Sequence, residues 1–270
     1  MRILFLGDVV GAAGRRVVKD NLPRLRRDLE IDFAIVNGEN AAHGYGITGA
    51  ICAELFVAGA DVITTGNHVW DRREIIPYIE RERRLLRPHN YPVGTPGSGA
   101  GVFDSRAGRK VFVLHLMCRL HMDPLDDPFA LADAALEAHR LGETVDAAVI
   151  DIHGELTSEK TAMGHFADGR ASLVVGSHTH VPTADARILA HGTAFQTDAG
   201  MCGDYDSVIG MNKDMAIERF VTKMPTGRLE PAEGEATLCG VFAETDDRSG
   251  LAVRVAPVRT GGLLTPSWPG

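Results

Sequence analysis

Eight residues in this chain carry groups suited to binding cations and moving protons: Asp8, Glu39, Asn40, Asn67, His68, His153, His178 and His180. Each stands at the carboxyl end of a short apolar run. Ile3 to Leu6 leads to Asp8, Phe33 to Val36 to Glu39 and Asn40, and Val62 and Ile63 to Asn67 and His68. Ala148 to Ile152 leads to His153, and Leu173 to Val175 to His178-Thr179-His180. On an extended segment residues two apart point the same way, so the two imidazoles of His178 and His180 either face one pocket or, at a strand end, straddle two metals. Asparagine is an unusual ligand unless a site must hold metal without adding negative charge. Asp8 and Glu39 bring two negative charges against four from two divalent ions. The surplus suits one hydroxide and one phosphodiester anion, so such a site attracts phosphate even in an acidic protein.

If those apolar runs are neighbouring strands of one sheet, the donors gather along its carboxyl rim, where open α/β sheets bind ligands. The first half of the chain alternates strand-like and helix-like stretches, as parallel strands joined by crossover helices do. Val18, Leu22, Leu25 and Leu29 mark one helix face, and Pro23 inside it predicts a kink or break. Further helices are expected over 47–58, over 72–84 with Pro77 inside, over 129–141 and over 212–224. Segments 101–103 and 110–117 flank a turn and read as a hairpin. Beyond them the pattern turns antiparallel, over 188–190, 194–197, 236–244 and 251–258, the last two forming a closing hairpin around 246–250.

Length and composition bound the rest. The 270 residues can bury a full core, and with no Ser/Pro/Gly-rich linker between the outermost donors they read as a single domain over 1–270. Apolar and charged fractions of 44% and 24% are those of an ordinary globular protein rather than a disordered one. A formal charge of −8 argues against a broad grip on nucleic acid, which needs clustered Lys and Arg. Arg81, Arg83, Arg84 and Arg87 are interleaved with Glu80 and Glu82 and read as a solvated helix face. Cys52, Cys118, Cys202 and Cys239 lie far apart without C-x-x-C spacing, as buried or free thiols do. No apolar run approaches a membrane span and no signal peptide opens the chain, so the expected compartment is the cytoplasm.

Gly7, Gly11 and Gly14, with Glu39 after the second strand, form a loose variant of a dinucleotide-binding fingerprint. Asp8 would put a carboxylate beside the pyrophosphate, and the reading leaves Asn67, His68, His153, His178 and His180 without a purpose.

Taken in order, Gly7-Asp8, Gly38-Glu39-Asn40, Gly66-Asn67-His68, His153 and Gly176-Ser177-His178-Thr179-His180 resemble the motifs of the calcineurin-like metallophosphoesterases. The fuller strings are similar to the YmdB-type bacterial phosphodiesterases over nearly the whole chain: Gly7-Asp8-Val9-Val10-Gly11, Asn37-Gly38-Glu39-Asn40-Ala41-Ala42, Gly66-Asn67-His68-Val69-Trp70, and His153-Gly154-Glu155 with Thr157-Ser158-Glu159-Lys160. There are departures. Val10 stands where the superfamily usually has a histidine, Glu39 where an aspartate bridges, and Val69 where a carboxylate follows the third motif. Asn40 is then the replacement oxygen ligand, and Asp71 the candidate to orient His68.

The resemblance implies an α/β/β/α sandwich of two mixed sheets, in the α/β class, and a metal-dependent phosphodiesterase. It implies Asp8, Asn40 and His180 on one metal, Asn67, His153 and His178 on the other, and Glu39 bridging them. A hydroxide shared between the ions would attack phosphorus, with His68 protonating the departing oxygen. Iron or manganese is implied, while mixed N/O ligation also suits zinc or cobalt. The expected substrate is a small nucleotide phosphodiester, foremost a 2′,3′-cyclic nucleotide. A phosphomonoesterase, a nuclease or a nucleotide-sensing regulatory protein are the alternatives. No membrane and no extended nucleic acid are expected as partners, and a homo-oligomer stays open. His43 with Gly44 and Gly46 reads either as the substrate mouth or as a turn. Glu155, Thr157, Ser158 and Lys160 read as supports for His153 or as a helix cap, Ser158 as the cap.

Overall fold

The computed structural model describes residues 1–224 and 227–269. In chain order the first half holds β1 (Arg2–Leu6), β2 (Asp8–Val9), α1 (Gly11–Asp28), β3 (Phe33–Asn37), α2 (Gly49–Ala58), β4 (Val62–Thr64), α3 (Ile76–Ile79), β5 (Leu85–Leu86), β6 (Ala100–Asp104) and β7 (Lys110–Met117). The second half holds α4 (Pro128–Ala138), β8 (Ala147–His153), α5 (Thr157–Phe166), β9 (Leu173–Ser177), β10 (Arg187–Ile188), β11 (Ala194–Gln196), β12 (Met201–Asp204), α6 (Lys213–Thr222), β13 (Ala236–Thr245) and β14 (Ala252–Thr260).

The strands form two mixed sheets. One runs β2-β12-β13-β1-β3-β4-β5, with β14 also paired to β13, and the other runs β10-β11-β9-β8-β7-β6. Alternation along the strands dictates how they stack. In β1, Ile3 and Phe5 join Phe33, Ile35, Val113, Val149 and Val175 in an apolar layer between the sheets. Leu4 and Leu6 face the other way, with Ala34 and Val36, onto Val18, Leu22 and Leu25 of α1 and Leu55 of α2. On the far side Leu114, Ala148, Ile150 and Val174 pack on Ala132 and Leu136 of α4 and Met163 of α5. The result is the expected α/β/β/α sandwich.

Several local expectations need correction. α1 runs unbroken through Pro23, because Val18, Leu22 and Leu25 are wholly buried on its inner face and this packing outweighs the missing backbone donor. Residues 72–84 do not make one helix. A single 3-10 turn over Arg73–Ile75 leads into the four-residue α3, which takes Pro77 in its first turn, where no backbone donor is needed, and ends at Ile79. The arginines beyond are therefore no helix face. Arg84 pairs with Glu82 at 2.7 Å and covers the Phe56 ring at 3.8 Å, while Arg87 is buried and donates to the carbonyls of Pro88, Thr95 and Pro96.

The antiparallel expectation for the second half holds at β6/β7, β10/β11 and β13/β14. It fails at β11, which also pairs parallel with β9 and so joins the parallel run of β7, β8 and β9. That run is parallel because α4 and α5 return the chain over the outer face between those strands. Among the described residues no helix is long and apolar enough to cross a membrane.

Candidate metal centre

The donor-bearing runs lie in two sheets rather than the one expected, β1, β3 and β4 in the first and β8 and β9 in the second, and the two carboxyl rims meet at one place. β3 ends two residues before Glu39, β4 three before Asn67, β8 at His153 itself and β9 one before His178. Asp8 opens β2, pinned by pairing with Met201 of β12. All seven candidate ligands converge there. Single donor atoms of Glu39, His153 and His178 lie within 4.8 Å of one another, and so do those of Asp8, Glu39 and His180. Glu39, 1% exposed, belongs to both sets. Asn67 Oδ1 lies 3.1 Å from His153 Nε2, on the first set, and Asn40 Oδ1 lies 3.2 Å from His180 Nε2, on the second.

Each imidazole is turned by a bond on its other nitrogen. His153 Nδ1 donates to Ser177 Oγ at 2.9 Å, and Ser177 donates onward to Asp151 Oδ1 at 2.6 Å. That leaves His153 Nε2 aimed into the cluster, 3.1 Å from Glu39 Oε2 and 3.2 Å from His178 Nδ1. His178 Nε2 is held by Glu155 at 3.2 Å. His180 Nδ1 donates to the Ile209 carbonyl at 2.7 Å, leaving Nε2 free to coordinate. Asn40 is fixed likewise, its amide donating to the Gly44 carbonyl at 3.0 Å so that its oxygen faces inward. Such outer bonds set the tautomer and direction of metal-binding groups.

Asp8 is fully buried, and its Oδ1 has no hydrogen-bond partner. Burial and the Glu39 charge push its carboxyl well above the usual carboxylate range. Burial opposes a charge on His153 too, yet Glu39, Asp8 and Asp151 outweigh it and lift the imidazole to about 9. Burial and the adjacent His153 lower His178 to about 3. A neutral imidazole, an orphaned carboxylate oxygen and a ring that retains a proton against burial all call for a cation at the centre, and the donors fit one. There is also room for nothing else of the protein: a methyl group on Gly66 would fall onto Glu39 Oε2 and His153 Nε2.

His68 stands outside the two sets, on the cavity they open into. Its Nδ1 donates to Asp71 Oδ2 at 3.0 Å, the carboxylate sought for it, and its ring meets the edge of Tyr45 at 5.3 Å between centroids. The cavity holds about 350 Å³ and is walled beyond the ligands by Tyr45, Ile209, Met211, Phe220 and Leu229. His43 lines the two neighbouring clefts rather than this one. Ser158 does not cap α5, whose cap position is Leu156 without a side-chain bond. The glycines after β1 cradle no phosphate either. Gly11 N donates to the Asn40 carbonyl at 3.0 Å, and Gly14 lets α1 lie against the Cys202 carbonyl.

Sequence reasoning missed the groups behind the ligands. Asn37 accepts from the Glu39 amide at 3.0 Å and donates to the Thr65 carbonyl at 2.8 Å. Asp151 is buried against His115 at 3.2 Å. Asp198 carries the loop between His178 and His180. The signal for Asp151 was present: a carboxylate in the middle of an apolar strand, two residues before a ligand.

Fold and cluster together define a metallophosphoesterase-like hydrolase of phosphoric esters. The chain belongs to the YmdB-like protein family, whose model matches residues 4–258. It is 48% identical over 256 residues to a Bacillus subtilis protein named 2′,3′-cyclic-nucleotide 2′-phosphodiesterase, covering 94% of this chain and 95% of that one. Among solved structures it resembles a hypothetical protein of Thermus thermophilus, with 41% identity, TM-score 0.90 and coverage of 97% and 100%. A novel phosphatase of Mycoplasma pneumoniae is similar at 33% identity and TM-score 0.89, with coverage of 97% and 93%.

Proposed function

We propose that the chain hydrolyses small nucleotide phosphodiesters, foremost 2′,3′-cyclic nucleotides, at a dinuclear metal centre. The observation that carries the reading is the sharing of the buried Glu39 carboxylate between two donor sets, each completed by an asparagine oxygen. Asp8, Asn40 and His180 would hold one ion, Asn67, His153 and His178 the other, and Glu39 both. Iron or manganese suits these mixed nitrogen and oxygen donors, as do zinc and cobalt. When bound, two such ions supply Lewis acidity, a water acidic enough to ionise near neutral pH, and charge to offset the phosphoryl oxygens.

The protein's own groups supply the rest. Asp71 accepts from His68 Nδ1 and so holds the ring on the cavity, from which it would protonate the departing alkoxide. The apolar wall from Tyr45 to Leu229 offers a nucleoside a surface to lie on and excludes water from the reacting end. The name of the B. subtilis relative supports the cyclic-nucleotide reading. The enzyme would work in the cytoplasm, in keeping with four buried cysteines that form no disulfide.

The test is metal content by mass spectrometry after reconstitution, followed by turnover of 2′,3′-cyclic nucleotides by wild type and Asn67→Ala. Two ions per chain and a large loss of turnover in the variant are expected. Fewer than two ions would sink the dinuclear centre, full turnover by Asn67→Ala would remove that residue from it, and nucleotide binding without turnover under every metal would make the protein a sensor.

A further inference from the structure

A second charged assembly lies behind the centre and touches none of the candidate ligands' donor atoms. Lys160, on α5, has no exposed surface, and its Nζ sits 2.8 Å from Asp198 Oδ2 and 3.2 Å from the Ser177 carbonyl. Asp198 Oδ2 also accepts from Thr179 twice, from the amide at 3.1 Å and the hydroxyl at 2.7 Å, while Oδ1 accepts from Gly200 N at 2.8 Å. The lysine stem has room because residue 176 is glycine, where a Cβ would come within 2.7 Å of Lys160 Cδ.

The anchor points matter. Ser177 and Thr179 are the residues flanking His178, and Thr179 is the single residue between the two histidines. His178 and His180 both have positive φ, 98° and 66°, a backbone region that side-chain-bearing residues hold only where their surroundings impose it. A buried ion pair is a poor source of stability, since desolvation consumes most of its attraction. Its better-founded use is to fix one arrangement. Lys160 has a second effect: it cancels the charge of Asp198, so the loop gains a strong acceptor without a further net negative charge beside Asp8 and Glu39.

We propose that Lys160 and Asp198 are positioning residues that hold the His178-Thr179-His180 loop in its left-handed geometry, and thereby set the affinity of both metal positions together. This rests on the dinuclear reading above, because His178 belongs to one donor set and His180 to the other.

The experiment is calorimetric titration of the metal-free protein with Mn²⁺, alongside its melting temperature and low-temperature EPR of the loaded form. Wild type, Thr179→Val, Lys160→Met/Asp198→Asn and His178→Ala are compared. Thr179→Val leaves no charge buried alone and so keeps the test open if the double variant does not fold. Thr179→Val is expected to weaken both ions by several-fold, and Lys160→Met/Asp198→Asn by about ten- to a hundredfold, with loss of the exchange-coupled Mn²⁺ spectrum. His178→Ala should weaken mainly one ion. Wild-type affinity at both positions in Thr179→Val and the double variant, even with a lowered melting temperature, would overturn the proposal and leave the dinuclear reading standing. Failure of wild type to bind two ions would overturn both.

Discussion

His68 and the cysteines differ in what they offer to chemistry. His68 is partly exposed on the cavity with its Nδ1 tied to Asp71, and His68→Ala is expected to lower kcat on cyclic nucleotides by about 10²- to 10⁴-fold with metal content unchanged. With a p-nitrophenyl phosphodiester, whose leaving group needs no proton, the loss should shrink. Equal losses on both substrates would remove the proton-donor role. The cysteines are inert by contrast. Burial raises all four thiols, Cys239 to about 11, so none is expected to react with Ellman's reagent at pH 8 until the protein is unfolded. A fast-reacting thiol in the native protein would contradict that. At this scale the sequence was most legible: every donor in the cluster announces itself as a polar residue ending an apolar run. What stayed hidden were the bonds behind them, such as Asp151 through Ser177 to His153, because pairing across 26 positions leaves no local pattern.

Among the elements, the short loop after β4 is the most constrained. Gly66 faces Glu39 and His153 so closely that Gly66→Ala must displace one or both. The variant is expected to bind Mn²⁺ at least tenfold more weakly and to lose turnover at least a hundredfold while melting within a few degrees of wild type, measured by calorimetry, initial rates and a thermal scan. Unaltered Mn²⁺ affinity would mean that the donors can shift without cost. Helix existence was legible: α2, α4 and α6 start and stop within a few residues of their expected bounds, and Thr48, Asp127 and Asn212 cap them with side-chain bonds. Prolines misled in both directions. Pro23 is absorbed where tertiary packing is strong, and Pro77 falls in the first turn of a helix that stops at Ile79, short of its expected end. The balance lies in burial, which single positions do not reveal.

For the molecule as a whole, the surplus of acid confines long-range attraction to the centre itself. With net charge −8, a single-stranded RNA of tens of nucleotides is expected to compete poorly with a cyclic nucleotide, and turnover of the small substrate to change little between 50 and 200 mM salt, conditions across which a phosphate-gripping protein loses about 10³- to 10⁵-fold in affinity. Steady-state rates with RNA and salt added would check both, and strong inhibition by RNA would indicate a basic track on the surface. Sheet order was the least legible feature at this scale. β13, about 240 residues along, inserts between β1 and β12, pairing Leu6 with Gly240 and Gly203 with Thr237, and no local signal specifies a partner so distant.

That insertion also sets a clock. Asp8 is seated by β2 against β12, and among the described residues β12 pairs only with β2 and β13. A nascent chain can pair β1, β3 and β4 early, yet β12, the strand against which Asp8 is seated, lacks its β13 neighbour until residues near 245 have been made. On the proposed reading, the donor set for the metals is therefore complete only once β13 has been made.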